Sequence, residues 1–183
     1  ATLPTARGRR LVSGVVVDDG FPGEALQGYL ACASRLGLRA FVEVRGDDSN
    51  DAMGVACAMG VAAVLGLEPA TEMQARALSS LESTAVVLLP GRAFQRGKSF
   101  GERVYGRRLV DAGVAVALAT GFDPHTSATM SMPMILSLAC TQLGMSEEEA
   151  LTAATANAAE VLGLGDQTGA LLSGMRADFL ITE

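Results

Sequence analysis

From residue 14 onward the chain repeats one order: a short β-branched run, a helical pattern, then another run. Strands are predicted at 14–17, 40–44, 62–65, 84–89 and 114–118. The run at 84–89 is unbroken and apolar, as in a strand buried on both faces. Leu26, Tyr29, Leu30, Ala33 and Leu36 recur at helical spacing, and Gly37 offers a left-handed stop. A Gly-Asp-Asp-Ser-Asn turn leads to a helix from about Asp51, with Asn50 as its cap. Thr71 and Gln74 form a capping-box pattern that opens a helix to about Leu81. Residues 90–101 read as a polar loop, and 102–112 as a helix ended by Gly113. After a second polar loop come helices at 133–143 and 147–162, with Ser146 and Glu149 as another capping box and Gly163 as the stop. The tail reads as two short strands, 168–172 and 177–182, joined near Gly174.

Strand alternating with helix predicts a parallel sheet covered by helices. Five units fit an open doubly wound sheet or a segment of a (β/α)8 barrel, and periodicity leaves both open. No GxGxxG follows the first strand and no GxxxxGK[ST] occurs, so the nucleotide-binding open sheets lose support. Aromatics are only 4% of residues and tryptophan is absent, so Ala, Val, Leu and Met must fill the core.

A net charge of -6 repels phosphate backbones and argues against nucleic acid as a partner. The basic residues are uneven. Arg7, Arg9 and Arg10 precede the first acid, Asp18, and read either as a solvated tail or as the trimmed end of an organelle-targeting peptide. Arg92, Arg96, Lys98, Arg103, Arg107 and Arg108 form a second group, read as a solvated face or as a receiver for an acidic partner. Cys32, Cys57 and Cys140 show no CxxC spacing and lie in apolar runs, which predicts buried free thiols in a reducing compartment. That places the chain inside the cell, in the cytoplasm or an organelle matrix such as the mitochondrion. No apolar run reaches the roughly 18 to 20 residues that cross a bilayer.

The stretch Ala117-Leu118-Ala119-Thr120-Gly121-Phe122-Asp123-Pro124-His125-Thr126-Ser127-Ala128-Thr129, leading to Pro133, is similar to the last-barrel-strand motif of imidazolonepropionases, Ala-Thr-Asp-Phe-Asn-Pro-Gly-Ser/Thr-Ser-Pro-Thr followed by a helix. The likeness continues through Ser146-Glu147-Glu148-Glu149-Ala150-Leu151, Thr155-Ala156-Asn157-Ala158-Ala159 and Leu162-Gly163-Leu164. It ends in Gly169-Ala170-Leu171 and Gly174-Met175-Arg176-Ala177-Asp178-Phe179-Leu180-Ile181, which resembles the family's closing segment. Upstream, Ala85-Val86-Val87-Leu88-Leu89-Pro90-Gly91 resembles its "V-A-V-L-L-P-G".

The resemblance implies a partial (β/α)8 amidohydrolase-type barrel of about five βα units with a short C-terminal β extension. Three regions follow: a basic segment at 1–12, the partial barrel at 13–165, and strands of a small β-sandwich at 166–183. It also implies a metal-activated water that opens the imidazolone ring in histidine degradation. Such chemistry needs imidazole and carboxylate ligands converging at the C-terminal ends of the strands, and a carboxylate to shuttle the proton. On this chain those positions carry other residues. The family's strand histidine falls on or near Glu43, its flanking acids near Arg45 and Gly46, the next histidine on Gly66, and the strand-end aspartate on Gly121. In the adjoining substrate loop Asn becomes Asp123, Gly becomes His125, and Ser127 is kept. The family's first strands, with their paired histidines, have no counterpart in this sequence.

The residues themselves offer modest chemistry. His125 is the one histidine, so it cannot build a multi-histidine site. It reads as a lone base flanked by Asp123, Thr126 and Ser127, or as a solvent-facing loop residue. Asp47 and Asp48 suit a cation or, as turn residues, the following helix N-terminus. Glu43 is either a ligand or a buried, partnered acid, and alternation sets it opposite Val42 and Val44. Ser127 and Ser131 lack a GxSxG setting. Met130, Met132 and Met134 read as helix-start packing.

These readings predict no catalytic residues, no metal and no cofactor, with Asp123, His125, Thr126 and Ser127 as a vestigial substrate pocket. The expected role is that of a catalytically inactive subunit in a larger assembly, whose partner chains or second copy cover the edges of an incomplete barrel. Two alternatives stand beside it. One is a metal-dependent hydrolase of cyclic amide C–N bonds, completed by a partner chain and using zinc or iron. The other is a ligand-binding module that keeps the pocket without chemistry.

Overall fold

A computed structural model describes residues 5–6, 9–10, 14–18, 20–44, 50–67, 70–81, 83–95 and 105–181. Two two-residue strands, β1 (Thr5–Ala6) and β2 (Arg9–Arg10), pair antiparallel near the N-terminal end. The main sheet holds β3 (Gly14–Asp18), β4 (Arg39–Glu43), β5 (Ala63–Leu65), β6 (Ala85–Leu88) and β7 (Val116–Leu118). Every neighbouring pair is parallel, and the spatial order is the sequence order, β3-β4-β5-β6-β7. A doubly wound sheet would place its first strand in the interior and reverse direction there. Sequential order therefore selects the barrel-type alternative, an arc with each crossover helix on the same side.

Strand alternation sorts the two faces. Val17, Val42, Val64, Val86 and Val116 are direct register neighbours and form one row across all five strands. All five are buried in the larger core. Against them pack Leu26 and Leu30 of α1 (Gly23–Arg35), Ala52, Met53 and Ala56 of α2 (Asn50–Met59), and Ala75 and Leu78 of α3 (Glu72–Ser79). On the other face Ala63, Ala85, Val87 and Ala117 form a smaller cluster with Leu89. α8 (Ala156–Leu162) lies against this cluster through Ala158 and Val161. It is held there by Arg39, whose Nε donates to the Val161 carbonyl at 2.9 Å, and by Asn157, whose amide donates to the Val116 carbonyl at 2.7 Å.

The helix signals are where the sequence put them. Both capping boxes form, Thr71 with Gln74 and Ser146 with Glu149. The left-handed stops at Gly37, Gly113 and Gly163 are present. Ser131 caps α6 (Met132–Leu143), with Pro133 in its first turn. Asn50, expected as a cap, is instead the first residue of α2.

Three expectations are corrected. The polar loop at 90–101 begins as a helix, α4 (Pro90–Gln95), because proline is pre-set for the first helical position. The single helix at 147–162 is two, α7 (Glu147–Ala154) and α8, broken at Thr155. There the hydroxyl bonds the Leu151 carbonyl at 2.7 Å and φ is -123° with ψ -85°, outside the helical range. Finally, residues 164–181 run through turns and bends and form no strand. An isolated strand pair has no neighbour to complete its hydrogen bonds, and Leu171, Leu172, Phe179, Leu180 and Ile181 stay exposed. Thr182, residues 96–101 of the predicted loop, and residues 102–104 of the predicted helix that becomes α5 (Tyr105–Asp111) lie outside the described residues.

The thiols of Cys32, Cys57 and Cys140 are free and half-buried. No helix among the described residues is long and apolar enough to cross a membrane.

The Ser146–Glu149 box also reaches across the fold, since Glu149 accepts from Arg107 of α5 at 2.7 Å. That bond first, and the Ser146 amide second, hold its carboxyl below its ordinary 4.5. Ser146→Ala should cost about 1 kcal/mol in urea unfolding. A depressed carboxylate stabilises above its unfolded value and loses that contribution as pH falls through the folded one. Glu149→Gln should therefore flatten the decline in stability below pH 4.5, and an unchanged slope would refute the coupling.

Candidate functional site

Barrel chemistry belongs at the C-terminal ends of the strands. Glu43 is the last residue of β4, Gly66 follows β5, Pro90 to Gln95 follow β6, and the 120–131 loop follows β7. Register puts Glu43 beside Leu65, on the face opposite the valine row. The expectation of opposite faces for Glu43 and for Val42 and Val44 is met, and the choice left open for Glu43 is resolved in favour of a buried, partnered acid. Its side chain is only 10% exposed and pairs with the guanidinium of Arg92, 17% exposed. The bond joins Arg92 Nη1 to Glu43 Oε1.

Arg92 stands where several strand ends converge. A Cβ on Gly66 would lie 3.7 Å from Arg92 Nη1, and a Cβ on Gly121 would lie 3.4 Å from Arg92 Nε. Both glycines have left-handed backbones, φ 72° and 55°, which disfavour most side chains. The leucine before α4, Leu89, touches both of these would-be Cβ positions. Arg92 Nε is buried without a hydrogen-bond acceptor among the described residues.

The predicted pocket residues come together in one turn. Asp123 and Ser127 exchange two backbone hydrogen bonds of 3.0 and 2.9 Å. The Asp123 carboxylate accepts from the His125 amide at 2.9 Å, the Thr126 amide at 2.9 Å and the Thr126 hydroxyl at 3.1 Å. The two backbone donors, His125 first, hold its carboxyl below the ordinary 3.8. Ser127 is completely buried and its hydroxyl donates to the Thr120 carbonyl at 2.7 Å. A Cβ on Gly91 would meet Ser127 Oγ at 2.6 Å, so α4 and the loop touch. His125 is exposed and joins the turn through its backbone. The arrangement makes Asp123 and Ser127 the turn's internal fasteners, with Ser127 shut away from solvent.

Gln95, which the sequence did not single out, clamps this loop. Its amide nitrogen donates to the His125 carbonyl at 3.1 Å, and its oxygen accepts from the Ala128 amide at 2.7 Å. Arg92 was grouped with the basic residues read as solvated or as awaiting an acidic partner, and that reading is corrected. The acids are the chain's own: Arg92 meets Glu43, and Arg107 meets Asp111 and Glu149. Arg108 donates to the Ala70 carbonyl. Arg96, Lys98 and Arg103, like Arg45, Gly46, Asp47 and Asp48, lie outside the described residues.

The metal implied by the sequence likeness can be tested against these side chains. Gly66 and Gly121 bring no donor, and a guanidinium lies within 4 Å of both would-be Cβ positions. Among the described residues no three His, Cys, Asp or Glu group closely enough to hold a metal ion. The described residues do not fit a divalent ion.

A family described as "Amidohydrolase family" matches residues 92–183. An imidazolonepropionase of Rubrobacter xylanophilus is 38% identical over 182 residues, covering 99% of this chain and 43% of its own length. That of Geobacillus kaustophilus is 47% identical over 95 residues, covering 52% of this chain and 22% of its own length. The chain thus spans well under half the length of the curated relatives it matches. Among solved structures, an adenosine deaminase from Xanthomonas campestris with bound zinc superposes with a TM-score of 0.73 at 17% identity, covering 94% of this chain and 44% of its own. Ochratoxinase of A. niger gives 0.69 at 22% identity, covering 86% and 38%. These likenesses establish the fold, an arc of a (β/α)8 barrel.

If Asp123 organises the turn, the amide shifts of His125 and Thr126 should titrate together in NMR spectra with a midpoint below 3.8. Asp123→Ala should remove that titration and speed exchange of both amides. Gln95→Ala should speed exchange of the Ala128 amide alone, and unchanged exchange there would show the clamp to be idle.

Proposed function

This chain belongs to the amidohydrolase family, and from that premise we propose that it is a catalytically inactive, imidazolonepropionase-related subunit with a structural or assembly role in a larger complex. One observation carries the reading. The positions that the sequence likeness lays on metal ligands, Glu43, Gly66 and Gly121, surround an arginine instead of a donor set. A hydrolytic water needs a cation that polarises it and a base to take its proton. Glu43 is already committed to Arg92, Gly66 and Gly121 supply nothing, and Ser127 is buried on a carbonyl.

An assembly role agrees with the sheet. Among the described residues β3 is an edge strand, and Val16 on its inner face is 58% exposed. Another protein chain or a second copy laid along this edge would cover both the strand edge and the apolar side chain. The tail at 166–181 presents a second apolar surface in Leu180 and Ile181.

A second reading is favoured by the order of the 120–131 loop, clamped by Gln95 and fastened by Asp123. On that reading the loop serves as the substrate wall of a metal-dependent hydrolase of cyclic amides, and a partner chain brings zinc or iron with its ligands.

Native mass spectrometry of the intact protein, purified from its source without chelator, separates the two. Co-purifying chains without stoichiometric zinc, iron or manganese, and no turnover of imidazolone propionate, are the expected results. One metal per chain with chelator-sensitive turnover overturns the inactive reading.

A further inference from the structure

We infer that Arg92 is a tethered substitute for a metal ion: its guanidinium supplies, from within the chain, the positive charge that the strand ends would otherwise take from a bound cation. The inference rests on the reading of Glu43, Gly66 and Gly121 as the family's metal positions. It adds a claim that this reading does not contain, namely that the site still needs a cation and has built one in.

Charge is the first argument. Glu43 is nine-tenths buried at the end of a parallel strand, and a carboxylate in such a place is strongly unfavourable without a cation beside it. Arg92 is that cation, 49 residues further along the chain and two strands away. Space is the second. The guanidinium lies within 4 Å of where a Cβ would stand on both Gly66 and Gly121. At 3.7 Å from the Gly66 position and 3.4 Å from the Gly121 position it is in van der Waals reach of both strand ends, and so brings its charge to each. Hydrogen bonding is the third. Arg92 Nε finds no acceptor among the described residues, so the guanidinium is not placed to complete a donor network. Its charge and its flat shape account for its position. Exclusion follows: a guanidinium only donates, and it repels a divalent ion from the space it fills.

The test is a thermal unfolding series on the intact protein. Arg92→Ala should lower Tm by roughly 10 °C, the loss typical of breaking a buried ion pair in a chain of this size. Methylguanidinium, at concentrations too low to denature, should restore part of that loss in Arg92→Ala while leaving the parent protein and Arg92→Ala/Glu43→Gln unmoved. The Glu43→Gln/Arg92→Met pair should be more stable than Glu43→Gln alone, since removing both charges leaves neither stranded. This comparison decides the matter even where Arg92→Ala does not fold. Additive losses in the two single variants, with no rescue by methylguanidinium, would overturn the inference and leave the inactive-subunit reading standing. Stoichiometric metal in the parent protein would instead overturn that reading, and the inference with it.

Discussion

The valine row running from Val17 through Val42, Val64 and Val86 to Val116 is the constraint on which the rest depends. A parallel ladder fixes which residues are side by side, and the two-residue repeat then fixes which face each must take. Once these β-branched side chains are committed to the helix layer, the residues one step away have no choice. Val16, Phe41, Ala63 and Ala85 fall into one row of the opposite face, and Asp18, Glu43, Leu65, Val87 and Ala117 into the next. A slip of one residue in β4 would send Glu43 into the helix layer among leucines. The burial of a charged residue at the sheet's inner, C-terminal corner is thus enforced by apolar packing on its other side.

That enforced burial explains the importance of α4. A six-residue helix has little stability of its own. Here it is held at both ends by groups distant in sequence. Arg92 reaches Glu43 of β4, and Gln95 reaches the loop after β7. Gly91, the second residue of α4, lets the helix backbone lie against the buried hydroxyl of Ser127. Three strand ends and one loop are therefore tied through a single turn of helix, and the tie runs through a charge pair that is mostly out of water.

Much of this fold was legible in the sequence because its signals are local. All five strands, both capping boxes and the glycine stops depend on residues within one turn or one alternation of each other. What could not be read is non-local. Nothing adjacent to Arg92 marks it as different from Arg107 or Arg108, and its partner lies 49 residues away. Gln95 is an ordinary polar residue until the loop it clamps is folded beside it. The tail shows the opposite failure. Residues 177–181 carry a good strand pattern, but a strand exists only with a neighbour, and among the described residues none pairs with it. Gly66 and Gly121 both lie against the same guanidinium, a proximity that no local signal in the sequence carries.

A metal ion and a guanidinium satisfy a buried carboxylate in different ways. The ion offers charge together with an open coordination position, and it is that position, shared with water, which makes a hydrolase. The guanidinium offers charge and fixed donor directions, with no vacancy for a ligand oxygen. Substituting one for the other keeps the electrostatic balance that lets strands with a buried acid close together, and removes the reacting centre at the same step. A barrel mouth altered in this way stays foldable because the carboxylate is never left alone, whereas loss of the cation without replacement would penalise the fold itself. In this chain the guanidinium lies within 4 Å of where a Cβ would stand on both Gly66 and Gly121. The Glu43–Arg92 pair is accounted for by the need to fold around a buried carboxylate.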